Sequence, residues 1–207
     1  MSASRAYRAR GRAAPSRSER TRERITAAVR ALLEEGAFHD STVEQVAQRA
    51  GVSRATLYQH FRSRLDLVDA ICDTFDVNPA LVELRRAVEL PDPDAALRET
   101  VVLAVRFWAT EDAVLRELYG VVAIDLAARE LVDRQRADRR GEMQRLARHL
   151  WRSGRLREGV SERAALDALM LLTSYDAFRE LCAAGRSERQ IARALQDSAC
   201  ALLLPSP

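Results

Sequence analysis

The stretch GVSRATLYQHFRSRL (residues 51–65) follows directly on TVEQVAQRA (residues 42–50). The apolar spacing in both segments predicts two short helices. Gly51 lies between them, and glycine reaches the left-handed conformation of a tight turn without a Cβ clash. Ser53 is a typical N-cap residue for the helix that follows. The two segments therefore predict a helix-turn-helix unit.

The helix after the turn is predicted to have one apolar and one polar face. Leu57 and Phe61 are four residues apart and are expected to face the interior. Arg54 and Gln59 are outward residues of the types that read guanine and adenine edges in a major groove. Donors suited to phosphates at the walls of the groove follow at Tyr58, His60, Arg62 and Arg64. A solvated helical hairpin in a bundle fits the same spacing.

Charge is distributed unevenly along the 207-residue chain. Residues 1–64 contain 13 arginines and 6 acidic residues, a net charge of +7, whereas residues 65–207 have a net charge of −4. A basic N-terminal part favours nucleic acid or an anionic membrane as a partner. A basic tail on an ordinary domain has the same balance, and all 33 basic residues are arginine, so the arginine total alone indicates little.

Helical periodicity extends over nearly the whole chain, and no strand pattern interrupts it. A helix is expected over residues 21–35, ahead of the helix-turn-helix. The first helix of the helix-turn-helix can begin with either of two capping boxes, Ser41 with Glu44 or Thr42 with Gln45. Further helices are predicted at residues 64–77, 94–110, 112–119, 121–152, 162–184 and 187–204, with Asp94 capping the second of these.

The predicted fold class is all-α, with a three-helix helix-turn-helix domain and a larger helical bundle. The predicted divisions are a basic, disordered arm, the helix-turn-helix domain and the bundle, at residues 1–18, 19–65 and 66–204. Because no apolar run approaches the roughly 20 residues of a membrane span, no membrane association is expected.

Catalytic and metal chemistry are not indicated. The three cysteines, Cys72, Cys182 and Cys200, are widely spaced in apolar helical patterns, which indicates buried, reduced thiols. The three histidines have no ligand spacing, and no motif supplies a nucleophile or a phosphate loop. We therefore expect no enzyme, no cofactor and no metal site. The predicted location is the bacterial cytoplasm, on the nucleoid when DNA is bound; an organellar protein with a cleaved arm is the alternative.

A resemblance to TetR-family transcriptional regulators covers residues 22–71. It rests on the runs GVS, TLY and HF at residues 51–53, 56–58 and 60–61. The chain departs from the family at Arg64, where the family more often has lysine, and arginine keeps the charge but not the geometry. Leu65 and Asp66 also replace the more usual acidic start of the next helix.

The resemblance implies DNA-binding roles for the matching residues. The residues expected to approach base edges are Ser53, Arg54, Ala55, Thr56 and Gln59. The residues expected to contact the DNA backbone are Thr42, Tyr58, His60 and Arg64. Gly51 is expected to form the turn.

Beyond about residue 75 the resemblance is general, and it implies dimerisation and a ligand cavity. The predicted dimer interface comprises Leu166, Leu169, Met170, Thr173, Ala177, Leu181, Ile191, Ala194, Leu195, Ser198 and Leu202. The predicted effector pocket comprises Phe107, Trp108, Tyr119, Trp151, Met170, Tyr175 and Phe178. Both patterns also fit an ordinary core. Because few charges are expected in this region, the predicted effector is mostly apolar.

The predicted function is a homodimeric, sequence-specific transcriptional regulator. Two recognition helices about one duplex turn apart would read palindromic operator DNA. The favoured mechanism is a repressor released by an unidentified small-molecule effector, through movement of the helix at residues 64–77. The alternative is an architectural or cell-division DNA-binding protein that has the same helix-turn-helix domain and no effector.

Overall fold

The structure is a computed structural model that describes residues 16–122 and 126–205. These residues form ten α-helices and no strand, which confirms the predicted all-α class. Most of the predicted arm, residues 1–15, lies outside the described residues. Residues 17 and 18, also assigned to that arm, belong instead to the first helix.

Four helices build the N-terminal part: α1 (Arg17–Glu34), α2 (Val43–Arg49), α3 (Arg54–His60) and α4 (Arg64–Phe75). The first begins four residues earlier than predicted, because Ser16 and Glu19 form a capping box. The apolar stripe of α1 is buried as its spacing predicts, through Ile25, Ala28, Val29, Leu32 and Leu33. It packs against α2, α4 and the long sixth helix.

Six further helices form the larger part: α5 (Pro79–Ala87), α6 (Pro93–Val122), α7 (Leu126–Arg152), α8 (Glu162–Leu172), α9 (Tyr175–Ala183) and α10 (Glu188–Leu203). The central member is α6, which packs against α1, α5, α7 and α10. It therefore connects the helix-turn-helix part to the rest of the core.

The predicted interruptions near residue 111 and at Gly120 are wrong, because α6 is continuous over 30 residues. One glycine inside a helix costs only about 1 kcal/mol relative to alanine, and packing on both sides of α6 outweighs it. The predicted cap is also wrong. Asp92 Oδ1 accepts the Asp94 backbone N–H, whereas the Asp94 carboxylate accepts two hydrogen bonds from Arg155. Those bonds hold the pKa of Asp94 below its usual range.

The single helix predicted at residues 162–184 is divided into α8 and α9. Thr173 ends α8, and its hydroxyl donates to the Leu169 carbonyl oxygen. Ser174 then caps α9 by accepting the Ala177 backbone N–H. Serine and threonine hydroxyls compete with helix bonding in this way, and the apolar periodicity on either side does not reveal it.

Candidate nucleic-acid interface and ligand cavity

The turn between α2 and α3 has the geometry that Gly51 allows. Its φ is +63°, and a Cβ there would lie 3.2 Å from Nη2 of Arg24. That guanidinium belongs to α1 and donates to the carbonyl oxygens of Ala50 and Gly51 at 2.7 and 2.6 Å. The predicted turn is therefore present. Arg24 is 26 and 27 residues away from Ala50 and Gly51 in the chain, so no local sequence pattern predicts its contact with the turn.

The recognition helix α3 is anchored by its apolar face. Leu57 and Phe61 are each 1% exposed, and the Arg22 guanidinium lies 4.5 Å from the Phe61 ring centroid. Ser53 accepts the Thr56 backbone N–H at 3.0 Å, as its predicted N-cap position requires. The helix is thus anchored by its buried apolar face and by the cap at its N-terminus.

The opposite side of α3, here termed the α3 face, consists of the polar residues predicted to contact DNA. Its exposed members are Ser53, Arg54, Ala55, Tyr58 and Gln59, and its half-buried members are Thr56 and His60. No other described segment covers this face. Five of the seven side chains are therefore exposed, with the basic Arg54 at the N-terminal end of the helix.

Arg54 is held by contacts that are easily released. Its guanidinium forms an ion pair with Glu44 of α2 at 2.5 Å and lies 5.5 Å from the Tyr58 ring centroid. Both charged side chains are more than half exposed, and exposed pairs stabilise by at most about 1 kcal/mol. Arg54 can exchange this partner for a ligand at small cost.

Thr42 caps α2, which decides between the two capping boxes that the sequence allowed. Its hydroxyl accepts the Gln45 backbone N–H, and its own backbone N–H donates to Gln45 Oε1 at 2.7 Å. The residue is exposed. Phosphate contact by Thr42 stays a prediction.

Arg64 is engaged inside the protein. Its guanidinium donates to the carbonyl oxygens of Phe38, His39 and Ser41 and stacks on the Phe38 ring, 4.0 Å from the centroid. Burial lowers the pKa of this guanidinium below its usual range. The residue thus ties the start of α4 to the loop between α1 and α2. Phosphate contact by Arg64 stays a prediction, and the structure supplies a second role.

The structural role gives a direct expectation for Arg64→Ala. Loss of the charged donor leaves the loop carbonyls without their partner, so the free energy of unfolding should fall by about 2 kcal/mol. Arg64→Lys should recover only part of this, because one ammonium cannot reproduce the planar guanidinium. Urea unfolding followed by circular dichroism measures both. An unchanged midpoint in Arg64→Ala, together with weaker DNA binding, would instead assign the residue to phosphate alone.

A cavity of about 710 Å³ lies among α4, α5, α6, α7, α8 and α9. Five of the seven residues predicted for the effector pocket line it: Phe107, Trp108, Tyr119, Met170 and Tyr175. The other two do not. Trp151 is 55% exposed on the last turn of α7, and Phe178 is packed in the core. The prediction is therefore wrong for these two residues, because helical spacing does not show which neighbouring helices an aromatic side chain meets.

The aromatic wall of the cavity is continuous. Trp108 lies between Phe107 and Tyr175, with ring centroids 4.8 and 5.5 Å away, and Tyr119 stacks on Tyr175 at 5.2 Å. The Trp108 indole N–H donates to the Thr173 carbonyl oxygen, and the Tyr175 hydroxyl donates to Asp112. Burial and then that hydrogen bond raise the pKa of Tyr175. Both aromatic polar groups are therefore committed to the protein.

Charged side chains are more numerous at the cavity than the sequence indicated. The charged lining residues are Arg85, Arg136, Asp138, Arg139, Glu142, Asp176 and Glu180. Four of them, Arg136, Asp138, Arg139 and Glu142, lie in the run RQRADRRGE at residues 134–142. The polarity of this run indicates a helix face exposed to solvent rather than a cavity wall. The expectation of few charges is therefore wrong, although the aromatic and aliphatic walls remain largely apolar.

The predicted dimer face is divided between interior and surface. The positions buried within the chain are Leu166, Leu169, Thr173, Ile191 and Leu195, and these pack in its own core, so they are unavailable to a partner. The half-buried positions are Met170, Ala177, Leu181 and Ala194, and the exposed ones are Ser198 and Leu202. Leu171, outside the predicted set, is 69% exposed. The interface stays a prediction for the outer positions.

Membrane and metal features are not found in the described residues. No helix within residues 16–122 and 126–205 is long and apolar enough to cross a membrane. In that same part of the chain, no cluster of three histidine, cysteine, aspartate or glutamate side chains could hold a metal ion.

Comparison with known proteins locates the site within a family. Residues 25–71 match the family described as bacterial regulatory proteins, tetR family. The transcriptional repressor BepR of Brucella suis is 30% identical over 93 residues, which cover 44% of each chain. The chain spans less than half the length of the curated relatives it matches.

Solved structures extend the similarity to the whole fold. NalD of Pseudomonas aeruginosa, titled a secondary repressor of the MexAB-OprM multidrug efflux pump, is 25% identical, with 91% of this chain and 98% of NalD covered and a TM-score of 0.66. A SmeT–triclosan complex is 20% identical, with 89% and 91% covered and a TM-score of 0.68. Residues 25–71 thus match the tetR family of bacterial regulatory proteins, and the whole fold is similar to the folds of NalD and SmeT.

Proposed function

We propose that this protein is a homodimeric, sequence-specific DNA-binding repressor of transcription in the bacterial cytoplasm. The observation that carries the proposal is the α3 face, whose polar side chains are exposed while Leu57 and Phe61 are buried behind it. A rigidly anchored helix with such a face fits the width of a major groove. BepR and NalD are both named repressors, which supports repression rather than activation of transcription.

In this proposal, one group of residues contacts the bases and a second group contacts the DNA backbone. Ser53, Arg54, Ala55, Thr56 and Gln59 approach base edges. Thr42, Tyr58, His60 and Arg64 contact the DNA backbone, and Arg64 also positions the loop that leads to Thr42. Base contacts carry the sequence preference, whereas backbone contacts carry the salt-dependent affinity.

Arg54→Ala tests the assignment of base readout. We expect specific binding to weaken by about 1–3 kcal/mol, with relaxed preference at the contacted base pair. Glu44→Gln is the matched variant, because it removes the carboxylate that holds Arg54 at 2.5 Å and should strengthen binding. Binding curves on specific and scrambled duplexes, at several salt concentrations, measure both. Equal losses on both duplexes in Arg54→Ala would contradict base readout.

Selection of bound sequences from random DNA tests the proposal as a whole. A dimer that presents two copies of α3 should enrich a palindrome whose half-sites are about one helical turn apart. Enrichment of a single half-site would contradict the dimer. Failure to enrich any sequence would contradict specific recognition and favour a general DNA-binding role.

The proposal assigns the 710 Å³ cavity to an effector that releases the DNA. The volume is within the range of small-molecule sites, and the aromatic wall is suited to an apolar body. SmeT, which has the same fold, is described in complex with triclosan. The cavity favours this function over an architectural protein without an effector. Effector binding that leaves duplex affinity unchanged would contradict this part of the proposal.

A further inference from the structure

Arg139 differs from the other half-buried charged residues at the cavity because it forms no ion pair among the described residues, and the acidic residue whose charge acts on it is the exposed Asp176. Its Nη1 donates to the Met170 carbonyl oxygen at 2.9 Å and to the Thr173 hydroxyl at 3.1 Å. Neither its Nε nor its Nη2 has a hydrogen-bond partner within the described part of the chain. A guanidinium with free donors is thus fixed in a largely apolar wall.

The other two half-buried charged residues at the cavity, Arg85 and Glu142, already form ion pairs. Glu142 forms ion pairs with Arg145 and, at 3.6 Å, with Arg85. The remaining charged lining residues, Arg136, Asp138, Asp176 and Glu180, are exposed at the rim. Water screens such rim charges strongly, whereas a desolvated cation interacts strongly with a counter-ion.

The Arg139 guanidinium and the Tyr119 hydroxyl offer hydrogen-bond donors to the cavity. Trp108 and Tyr175 use their N–H and O–H groups on protein acceptors. Tyr119 is 40% exposed and lines the same cavity as Arg139, and its hydroxyl has no such partner among the described residues. A ligand that satisfies these atoms must bring an acceptor, and a carboxylate suits a guanidinium best because both are planar and bidentate.

We propose that the cavity binds an aromatic carboxylic acid whose carboxylate contacts Arg139 and Tyr119. The rings of Phe107, Trp108 and Tyr175 enclose its apolar body. The assignment rests on the proposed function insofar as the acid is the effector. It goes beyond that function by stating the ligand's charge and the residues that read it.

Three naphthalene probes of matched shape test the proposal: 2-naphthylacetate, 2-(2-naphthyl)ethanol and 2-(2-naphthyl)ethylammonium. Isothermal titration calorimetry of the full chain, without DNA, measures their affinities. We expect the acid to bind about tenfold to a hundredfold more tightly than the alcohol, with the ammonium compound weakest. Tighter binding of the ammonium compound would overturn the proposal in favour of the acidic rim. Equal affinities, or no binding by any probe, would also overturn it.

Variants then assign the preference to residues. Arg139→Gln should remove the preference for the acid over the alcohol while leaving the alcohol's affinity unchanged, and Arg139→Lys should keep part of it. Arg136→Gln is the control at the exposed rim and should change the preference less than about twofold. Equal losses for acid and alcohol in Arg139→Gln would reduce Arg139 to a packing role and overturn the proposal.

Tyr119→Phe is a second variant that tests the proposed carboxylate contact if Arg139→Gln does not fold. It removes only the free hydroxyl and should lower the acid's affinity several-fold. An unchanged preference would remove Tyr119 from the site. Duplex binding is measured separately: an acid that binds with the expected preference but does not release DNA contradicts the effector role and leaves this inference standing.

Discussion

Arg30→Ala is expected to lower the free energy of unfolding by about 3 kcal/mol. Arg30 Nη1 forms an ion pair with Glu111 at 2.8 Å, and Nη2 donates to the Thr74 hydroxyl at 2.7 Å. Glu111 is only 5% exposed, and its second carboxylate oxygen accepts from the Asn78 amide. Removing Arg30 leaves a buried carboxylate uncompensated, a change that costs roughly 3–5 kcal/mol. Arg30 is a quarter exposed, so the lower end applies.

A double-mutant cycle measured by urea unfolding tests this expectation. Arg30→Ala combined with Glu111→Ala should be less destabilised than the sum of the single variants, because the second change removes the orphaned charge. Arg106→Ala is the control, since its pair with Glu83 is more than half exposed on both sides and should contribute less than about 1 kcal/mol. Additive losses, or equal losses in Arg30→Ala and the control, would contradict the buried network.

The location of this network gives it a functional consequence. It joins α1 of the DNA-binding part to α4, α5 and α6 through four side chains. Glu111 lies one turn along α6 from Phe107 and Trp108, which line the cavity. A displacement of α6 by a ligand would therefore reach α1 through buried, directional bonds, which favour discrete arrangements over gradual ones.

Leu57→Ala is expected to lower the free energy of unfolding by about 2–5 kcal/mol and to abolish DNA binding. Leu57 is 1% exposed and is the buried residue of α3, which packs against α2. Its truncation removes apolar contacts and leaves a cavity beneath a seven-residue helix, which is too short to persist alone. Differential scanning calorimetry with duplex-binding curves measures both effects.

Gln59→Ala provides the matched control two residues along the same helix. Its side chain is exposed, so the free energy of unfolding should change by less than about 0.5 kcal/mol while specific DNA binding weakens. The two variants thus separate anchoring from recognition. A Leu57→Ala protein that unfolds at the wild-type temperature would contradict the anchoring role of the buried face.

Local features of the DNA-binding part were predictable because their causes lie within a few residues. Gly51 needs no distant partner to adopt a positive φ, and Ser53 caps α3 through a backbone N–H three residues away. The inward direction of Leu57 and Phe61 follows from helical spacing alone. Where two local solutions competed, as for the cap of α2, the sequence left both open and the structure selected Thr42.

The structure decided the features that depend on contacts distant in sequence. Arg24 clamps the turn, Arg64 binds the loop before α2, and Arg30 binds Glu111, although the sequence presents all three as ordinary arginines. Packing made α6 continuous through Gly120 and buried half of the face predicted for dimerisation.

By itself, then, the sequence determined the helices of the DNA-binding part, the turn between α2 and α3 and the polar face of α3. Only the tertiary structure decided which arginines are structural, where the cavity lies and that Arg139 lines it without forming an ion pair among the described residues. The reason is physical. Backbone conformation and helix faces depend on neighbours within about four residues, whereas the environment of a charge depends on whichever helices pack around it.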